Sequence, residues 1–176
     1  MAALSMGQAF LAQAQMPSQP AWQPMREAVF DSSNFPSTAS PEDRAIAQRI
    51  WANELMARLK DEQRFLPGFA LIGDVREGEK RIVFSMFAAA ASEHCEPAAN
   101  GAAVQDIFVE CRMRVVGWPP TGRHIAELPG YCMIYGGDHK KNRVEYRYDT
   151  SAQTLHFRTI QFGKVVPACS RALKLG

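Results

Sequence analysis

The side chains with the greatest capacity for chemistry in this 176-residue chain are four histidines and four cysteines. The histidines stand at positions 94, 124, 139 and 156, and no two of them have the close spacing that places two ligands on one face of a helix or strand. His94-Cys95-Glu96 is the only dense group of metal-ligand types, and a single tripeptide does not complete a tetrahedral site. We therefore predict no metal site and no cofactor.

Motifs for nucleophilic catalysis and phosphate binding are also missing from the sequence. There is no G-x-S-x-G elbow for a catalytic serine, and no Gly-rich loop leads from a strand into a helix. A Cys–His pair stays formally open because such pairs form in space, but Cys111 falls on the inward side of an alternating strand. We predict no catalytic residue, and an enzyme with a dispersed site remains an alternative.

The cysteines are better explained as two disulfides. Cys95, Cys111, Cys132 and Cys169 are even in number and contain no C-x-x-C pair. Of the three possible connectivities we favour Cys95–Cys111 with Cys132–Cys169, because each pair then closes a loop within one run of neighbouring elements. The alternative is four reduced thiols in a cytosolic protein.

The amino terminus agrees with an oxidising destination. Residues 1–14 carry no charged side chain and end in Ala12-Gln13-Ala14, the small-x-small pattern that signal peptidase cleaves. A basic segment at the start is missing, so this resembles a truncated secretory signal, with an Ala/Gln-rich tail as the alternative. We predict export to the bacterial periplasm or beyond the cell, with residues 15–40 as a Pro-rich leader.

Hydrophobic periodicity predicts the elements that would position these groups. Ser40 can cap a helix that starts at Pro41, and its apolar stripe continues until Pro67-Gly68. Strands are predicted at 69–75, 80–87, 104–116, 131–135, 143–149 and 154–162. The short connections favour antiparallel pairing. The expected fold is α+β over residues 41–176, an N-terminal amphipathic helix packed on a five- to six-stranded antiparallel meander sheet with two disulfides.

Membrane-spanning segments and strong electrostatic signals are not predicted. No apolar run reaches the roughly 20 residues of a transmembrane helix, so we expect no integral membrane insertion. The net charge of +2 is too small to indicate a polyanionic partner.

Arginines at alternating strand positions are the strongest sign of a binding surface. They are Arg112 and Arg114 in one predicted strand, Arg143 and Arg147 in another, and Arg158 in the last. If these strands are neighbours, the side chains form a basic stripe that would bind an acidic protein or an anionic glycan. Export makes nucleic acid the least favoured partner, and the alternative is an ordinary solvated sheet face with interleaved carboxylates.

Together these features predict an exported small binding protein that acts through its surface on a protein partner. An inhibitor or an immunity protein for a toxin or an envelope enzyme fits this description. The alternatives are an accessory or assembly component of the bacterial cell envelope and the dispersed-site enzyme. No segment carries a motif specific to one protein family.

Overall fold

A computed structural model of the chain describes residues 20–30, 39–60, 68–89, 95–97, 107–119 and 124–175. The predicted signal at 1–14 and residues 15–19 of the leader lie outside these ranges. The described elements, in chain order, are β1 Gln23–Pro24, β2 Arg26–Phe30, α1 Pro41–Ile50, α2 Ala52–Lys60, β3 Gly68–Glu77, β4 Lys80–Ala89, β5 Cys95–Pro97, β6 Val109–Trp118, β7 His124–Met133, β8 Arg143–Asp149, β9 Thr154–Gln161 and β10 Lys164–Lys174.

The strands form two antiparallel sheets instead of one meander. The four-stranded sheet has the order β1-β8-β9-β10. The six-stranded sheet has the order β2-β3-β4-β6-β5, and β7 also pairs with β6. The expected α+β fold with a single helix-covered sheet is therefore wrong: the described part of the chain is predominantly β, with two short helices.

The physical reason is visible in the sequence of the central strands. Residues 82–88 of β4 are buried without interruption, so this strand has apolar side chains on both faces. Such a strand needs a covering layer on each side, and two short helices supply only one. One face of the six-stranded sheet packs on α1 and α2 around Trp51 and Phe87, and the other packs on the four-stranded sheet around Phe84 and Phe157.

Both lateral seams of this β-sandwich are closed. On one side the chain passes from β1 in the four-stranded sheet to β2 in the six-stranded sheet, and the Met25 N–H donates to the Val144 carbonyl at 2.9 Å. On the other side the Cys132–Cys169 disulfide joins β7 to β10, and the Thr159 hydroxyl donates to the Cys132 carbonyl at 2.8 Å. The leader thus contributes strands to both sheets.

The second disulfide lies within the six-stranded sheet. Cys95 in β5 and Cys111 in β6 are register partners, and their Sγ atoms are bonded. The connectivity favoured from sequence is thereby confirmed. Two disulfides are compatible with an oxidising extracellular or periplasmic compartment.

The helical layer begins as predicted but is divided. The Ser40 side chain accepts a hydrogen bond from the Asp43 backbone N–H at 3.0 Å, so the expected cap is present. The helix stops at Trp51, where the backbone leaves helical geometry, and α2 starts at the next residue. The indole N–H of Trp51 donates to the Ser85 hydroxyl at 3.0 Å, which ties the junction to the sheet. Within the described residues, neither helix is long and apolar enough to cross a bilayer.

Candidate functional site

The structure divides the five predicted partner-binding arginines between two sheets. Arg112 and Arg114 lie in β6, whereas Arg143, Arg147 and Arg158 lie in β8 and β9. β6 belongs to the six-stranded sheet and the other two strands belong to the four-stranded sheet, so the five side chains do not form one stripe.

Arg114 is engaged in holding the helical layer. Its Nη2 atom lies 2.7 Å from Oε1 of Glu54, and its Nη1 donates to the Ile50 carbonyl at 2.8 Å. Its guanidinium carbon also lies 4.3 Å from the centre of the Trp51 ring. These contacts reach both helices from β6, so Arg114 is a packing residue in this fold.

Its neighbour Arg112 makes a more exposed pair. The Arg112 Nε atom lies 3.1 Å from Oε1 of Glu127 in β7, and both side chains are about two-fifths exposed, at 38% and 39%. Such a pair contributes little to stability, since water screens it. Arg112 stays available to solvent but is separated from the β8–β9 arginines by the thickness of the sandwich.

The remaining three arginines form one cluster on the outer face of the four-stranded sheet. Inward-facing Val144, Tyr146 and Tyr148 alternate with outward-facing residues along β8, so the arginines point away from the inter-sheet core. Arg158 stands directly opposite Glu145 in the β8–β9 register.

A buried carboxylate fixes this cluster. Glu145 is only 5% exposed, and its Oε1 accepts from Arg143 Nε at 2.6 Å while its Oε2 accepts from Arg158 Nε at 2.6 Å. Charge-assisted bonds of this length are strong, and two guanidinium groups share one carboxylate. The two arginines are thereby held in defined positions while 29% and 28% of their side chains stay exposed.

An aromatic ring completes the cluster. Trp22, just before β1, places its ring 4.2 Å from the guanidinium carbon of Arg158 and 4.9 Å from that of Arg147. Both distances lie within the range of a cation–π interaction. We call Trp22, Arg143, Arg147 and Arg158, with Glu145 between them, the arginine–tryptophan platform.

Two clefts flank the sandwich. The first, of about 710 Å³, lies beside β2 and the β7–β8 loop and is lined by Glu27, His139 and Lys140 among others. The second, of about 630 Å³, lies at the end of the sandwich near the β3–β4 turn, where the Tyr148 hydroxyl donates to Glu77 at 3.3 Å. Burial, and then the neighbouring Glu77 charge, raise the pKa of Tyr148, so this phenol is a hydrogen-bond donor and a poor base at neutral pH.

The most strongly coupled charges belong to a structural network. Asp74 in β3 accepts from Arg26 at 2.9 Å and from Arg81 at 3.0 Å, and these arginines also pair with Asp43 and Glu42 of α1. Burial tends to raise the pKa of Asp74, but the bonds from Arg81 and Arg26 outweigh it and hold that pKa below its usual value. The network ties the start of α1 to three strands.

The structure describes only some of the residues that the sequence offers for metal or thiol chemistry. Cys95 is committed to its disulfide, while His94 and the side chains of Glu96 and His124 lie outside the described set. Within the ranges that the structure covers, no three His, Cys, Asp or Glu side chains are grouped to hold a metal ion. All four cysteines are oxidised, so none is a thiolate nucleophile.

One feature of this surface, the residue at the β9–β10 turn, escaped sequence reasoning. The pair Phe162-Gly163 connects two strands where Asn-Gly is the ordinary choice, and an aromatic residue in that position was a usable signal.

Comparisons with protein families, curated proteins and solved structures give no match to this chain.

Proposed function

We propose that the protein is an exported binding protein that engages an acidic protein partner through the arginine–tryptophan platform. The observation that carries this proposal is the outer face of the four-stranded sheet, where three arginines and a tryptophan are assembled around one buried carboxylate. The described helices pack on the six-stranded sheet, and 29% and 28% of the Arg143 and Arg158 side chains stay exposed on this face.

The composition of the platform suits recognition. Tryptophan and arginine are the residues most enriched among those that dominate binding energy in protein interfaces. Contacts with Glu145 and Trp22 also restrict the arginine side chains before any partner arrives, which reduces the entropy lost on binding.

Charge favours an acidic partner. Two guanidinium groups, those of Arg143 and Arg158, share the single carboxylate of Glu145, so these paired groups together retain a positive charge. A complementary negative surface on the partner would accelerate encounter and set orientation, and this effect weakens with added salt.

Binding by strand addition is disfavoured at the edge of the four-stranded sheet that the Cys132–Cys169 disulfide links to β7. The described strand at that edge, β10, contains Pro167, a register shift between Val166 and Arg171, and charged Lys164 and Lys174. Proline, irregularity and lysine at an edge each oppose pairing with another chain. Recognition through the face of the sheet is the better use of this architecture.

The two disulfides support the proposed export, since disulfide bonds persist in oxidising compartments. Inhibition of a toxin or an envelope enzyme, or immunity to it, is the role we propose for such a binding protein. The basic platform would cover an acidic groove on the target.

The test is charge reversal on the platform with a matched control. Arg147→Glu removes one cation–π contact and inverts a charge, whereas Arg44→Glu inverts an exposed charge on α1 in the opposite layer. Oxidised protein is crosslinked in an extract of its own cell envelope, and the captured partner is then purified. We expect Arg147→Glu to weaken binding to that partner at least about tenfold, and Arg44→Glu to change it less than about twofold.

Melting curves of both variants establish that each is folded. The wild-type affinity should also fall between low and moderate salt. Equal binding by the two variants, or failure of the oxidised wild type to capture any partner, contradicts the proposed function.

A further inference from the structure

The turn between β9 and β10 has an unfavourable residue at its tip. Phe162 and Gly163 have φ angles of 52° and 77°, so both central residues of this two-residue turn are in the left-handed region. Glycine tolerates that conformation, and asparagine adopts it readily. A bulky phenylalanine there is a conformational outlier.

Packing does not compensate for this backbone. Phe162 is 54% exposed, so its ring gains little from burial within its own chain. The conformation is nevertheless fixed from outside the turn: the Phe162 N–H donates to Asn142 Oδ1 at 2.9 Å, and the Gly163 N–H donates to the Lys141 carbonyl at 2.8 Å. Backbone outliers that the surrounding structure enforces occur most often where a protein works.

Two further exposed apolar residues lie on segments next to the same turn. Five large apolar residues are exposed in the described part of the chain, and Phe162, Ile107 and Val165 are three of them. The Ile107 N–H donates to the side chain of Gln161 at 3.1 Å, and Val165 lies two residues beyond the turn. We call Phe162, Ile107 and Val165 the apolar tip.

Cations border the apolar tip. Lys164 follows the β9–β10 turn. The β7–β8 loop, which is hydrogen-bonded to that turn, contributes Lys140 and Lys141, and all three lysines are exposed. Asp138 lies 4.0 Å from Lys141 and is the acidic group in that loop. An exposed aromatic ring is therefore presented within a positive surround.

The apolar tip is continuous with the platform. Ile160 in β9 is the register partner of Arg143 in β8 on one side and of Val165 in β10 on the other. Register partners share one face of a sheet, so platform and tip are joined across neighbouring strands.

We propose that Phe162 is the anchor of the interface: it inserts into an apolar pocket, edged by carboxylates, on the protein partner. This inference rests on the proposed function and adds the kind of pocket that the partner presents. A lipid surface is the less favoured occupant, because a fluid bilayer does not require an enforced backbone conformation.

The first experiment needs no partner. Phe162→Asn places the preferred residue in the turn, so we expect a higher melting temperature than that of the wild type. A residue that stabilised the fold by packing would give the opposite result. A lower melting temperature for Phe162→Asn therefore overturns the inference.

The second experiment measures binding to the purified partner that wild-type protein crosslinks. The proposal buries the Phe162 ring in the partner's pocket, so Phe162→Asn should weaken the affinity for the partner roughly tenfold to a hundredfold. The matched control is Met56→Asn, which removes an equally exposed apolar side chain, 55% exposed, from α2 in the opposite layer, and it should bind like the wild type.

The outcomes separate this inference from the proposed function. If Arg147→Glu weakens binding and Phe162→Asn does not, the platform stands and the anchor is wrong. If neither variant weakens binding, both are wrong. Co-sedimentation of the wild type with phosphatidylglycerol vesicles, lost in Phe162→Asn while partner affinity is unchanged, would assign the tip to a membrane surface and overturn the anchor.

Discussion

Gly73 in β3 lies directly against the ring of Phe84 in β4, and the two residues are register partners. A Cβ atom at Gly73 would lie 2.1 Å from one ring carbon of Phe84 and 2.6 Å from another. The ring has little room to withdraw, because it is fully buried with its centroid 4.7 Å from that of Tyr146 and 5.2 Å from that of Phe157. Gly73→Ala should therefore strain the centre of the inter-sheet core.

Two opposing effects set the change in the free energy of unfolding that we expect for Gly73→Ala. Overpacking a well-filled core by a single group costs about 1–3 kcal/mol. Replacing glycine by alanine also restricts the unfolded chain, which returns about 0.4–1 kcal/mol where the native conformation accepts a side chain. A separation of 2.1 Å places Gly73→Ala towards the upper end of the first range, so we expect a net loss of about 2 kcal/mol. For a chain of this length that corresponds to a melting temperature roughly 4–8 °C lower.

Gly117 in β6 supplies the matched control. Its added Cβ would meet only the end of the Ile125 side chain, at 4.0 Å. Gly117→Ala should thus be neutral or stabilising by up to about 1 kcal/mol. Urea unfolding of both variants with disulfides intact measures the difference, and adding Phe84→Leu to Gly73→Ala should recover part of the loss. Equal stability of the two alanine variants would refute the packing argument.

Two further predictions concern covalent and ionic ties. A disulfide stabilises more when it closes a longer loop, and the two disulfides here join residues 37 and 16 positions apart. Replacing both cysteines of Cys132–Cys169 by alanine should therefore lower the free energy of unfolding by about 4 kcal/mol, and the same change at Cys95–Cys111 by about 3 kcal/mol. Urea unfolding of the two double variants checks this order, and the reverse order would contradict it. The pKa of Asp74 is lower in the folded protein than in the unfolded chain, where it is about 3.9, so this carboxylate stabilises the fold above that pH. The stabilisation is lost as the pH falls through the lower folded pKa. The free energy of unfolding should therefore decline less steeply in acid for Asp74→Asn than for the wild type, and an unchanged decline would count against the network.

Local patterns in the sequence located individual elements well. The alternation of Val144, Tyr146 and Tyr148 placed β8 at the observed residues 143–149, since side chains in a strand alternate between faces. Ser40 marked the start of α1 because its side chain is suited to accept an N-terminal backbone hydrogen bond. The chosen cysteine pairing was confirmed, although only Cys95–Cys111 joins consecutive strands, whereas Cys132–Cys169 links β7 to β10 across the two sheets.

The partition into two sheets was not available from those patterns. Period-two alternation identifies a strand but does not say which strand lies beside it, and the buried run in β4 was read as one strand of a one-sided sheet. The helix that begins at Pro41 is likewise expected to continue without a break until Pro67-Gly68, because its apolar stripe does not reveal that Trp51 turns towards Ser85.

What the sequence alone determined is thus local: a capped helix, hairpin strands and the strand faces on which the arginines lie, each set by the chemistry of a few neighbouring residues. Tertiary structure decided which of those arginines act together. Arg114 became a tie to the helices, whereas Arg147 and Arg158 met Trp22, more than a hundred residues earlier in the chain. That meeting depends on β1 pairing with β8, a long-range contact whose partners are chosen by the packing of the whole core.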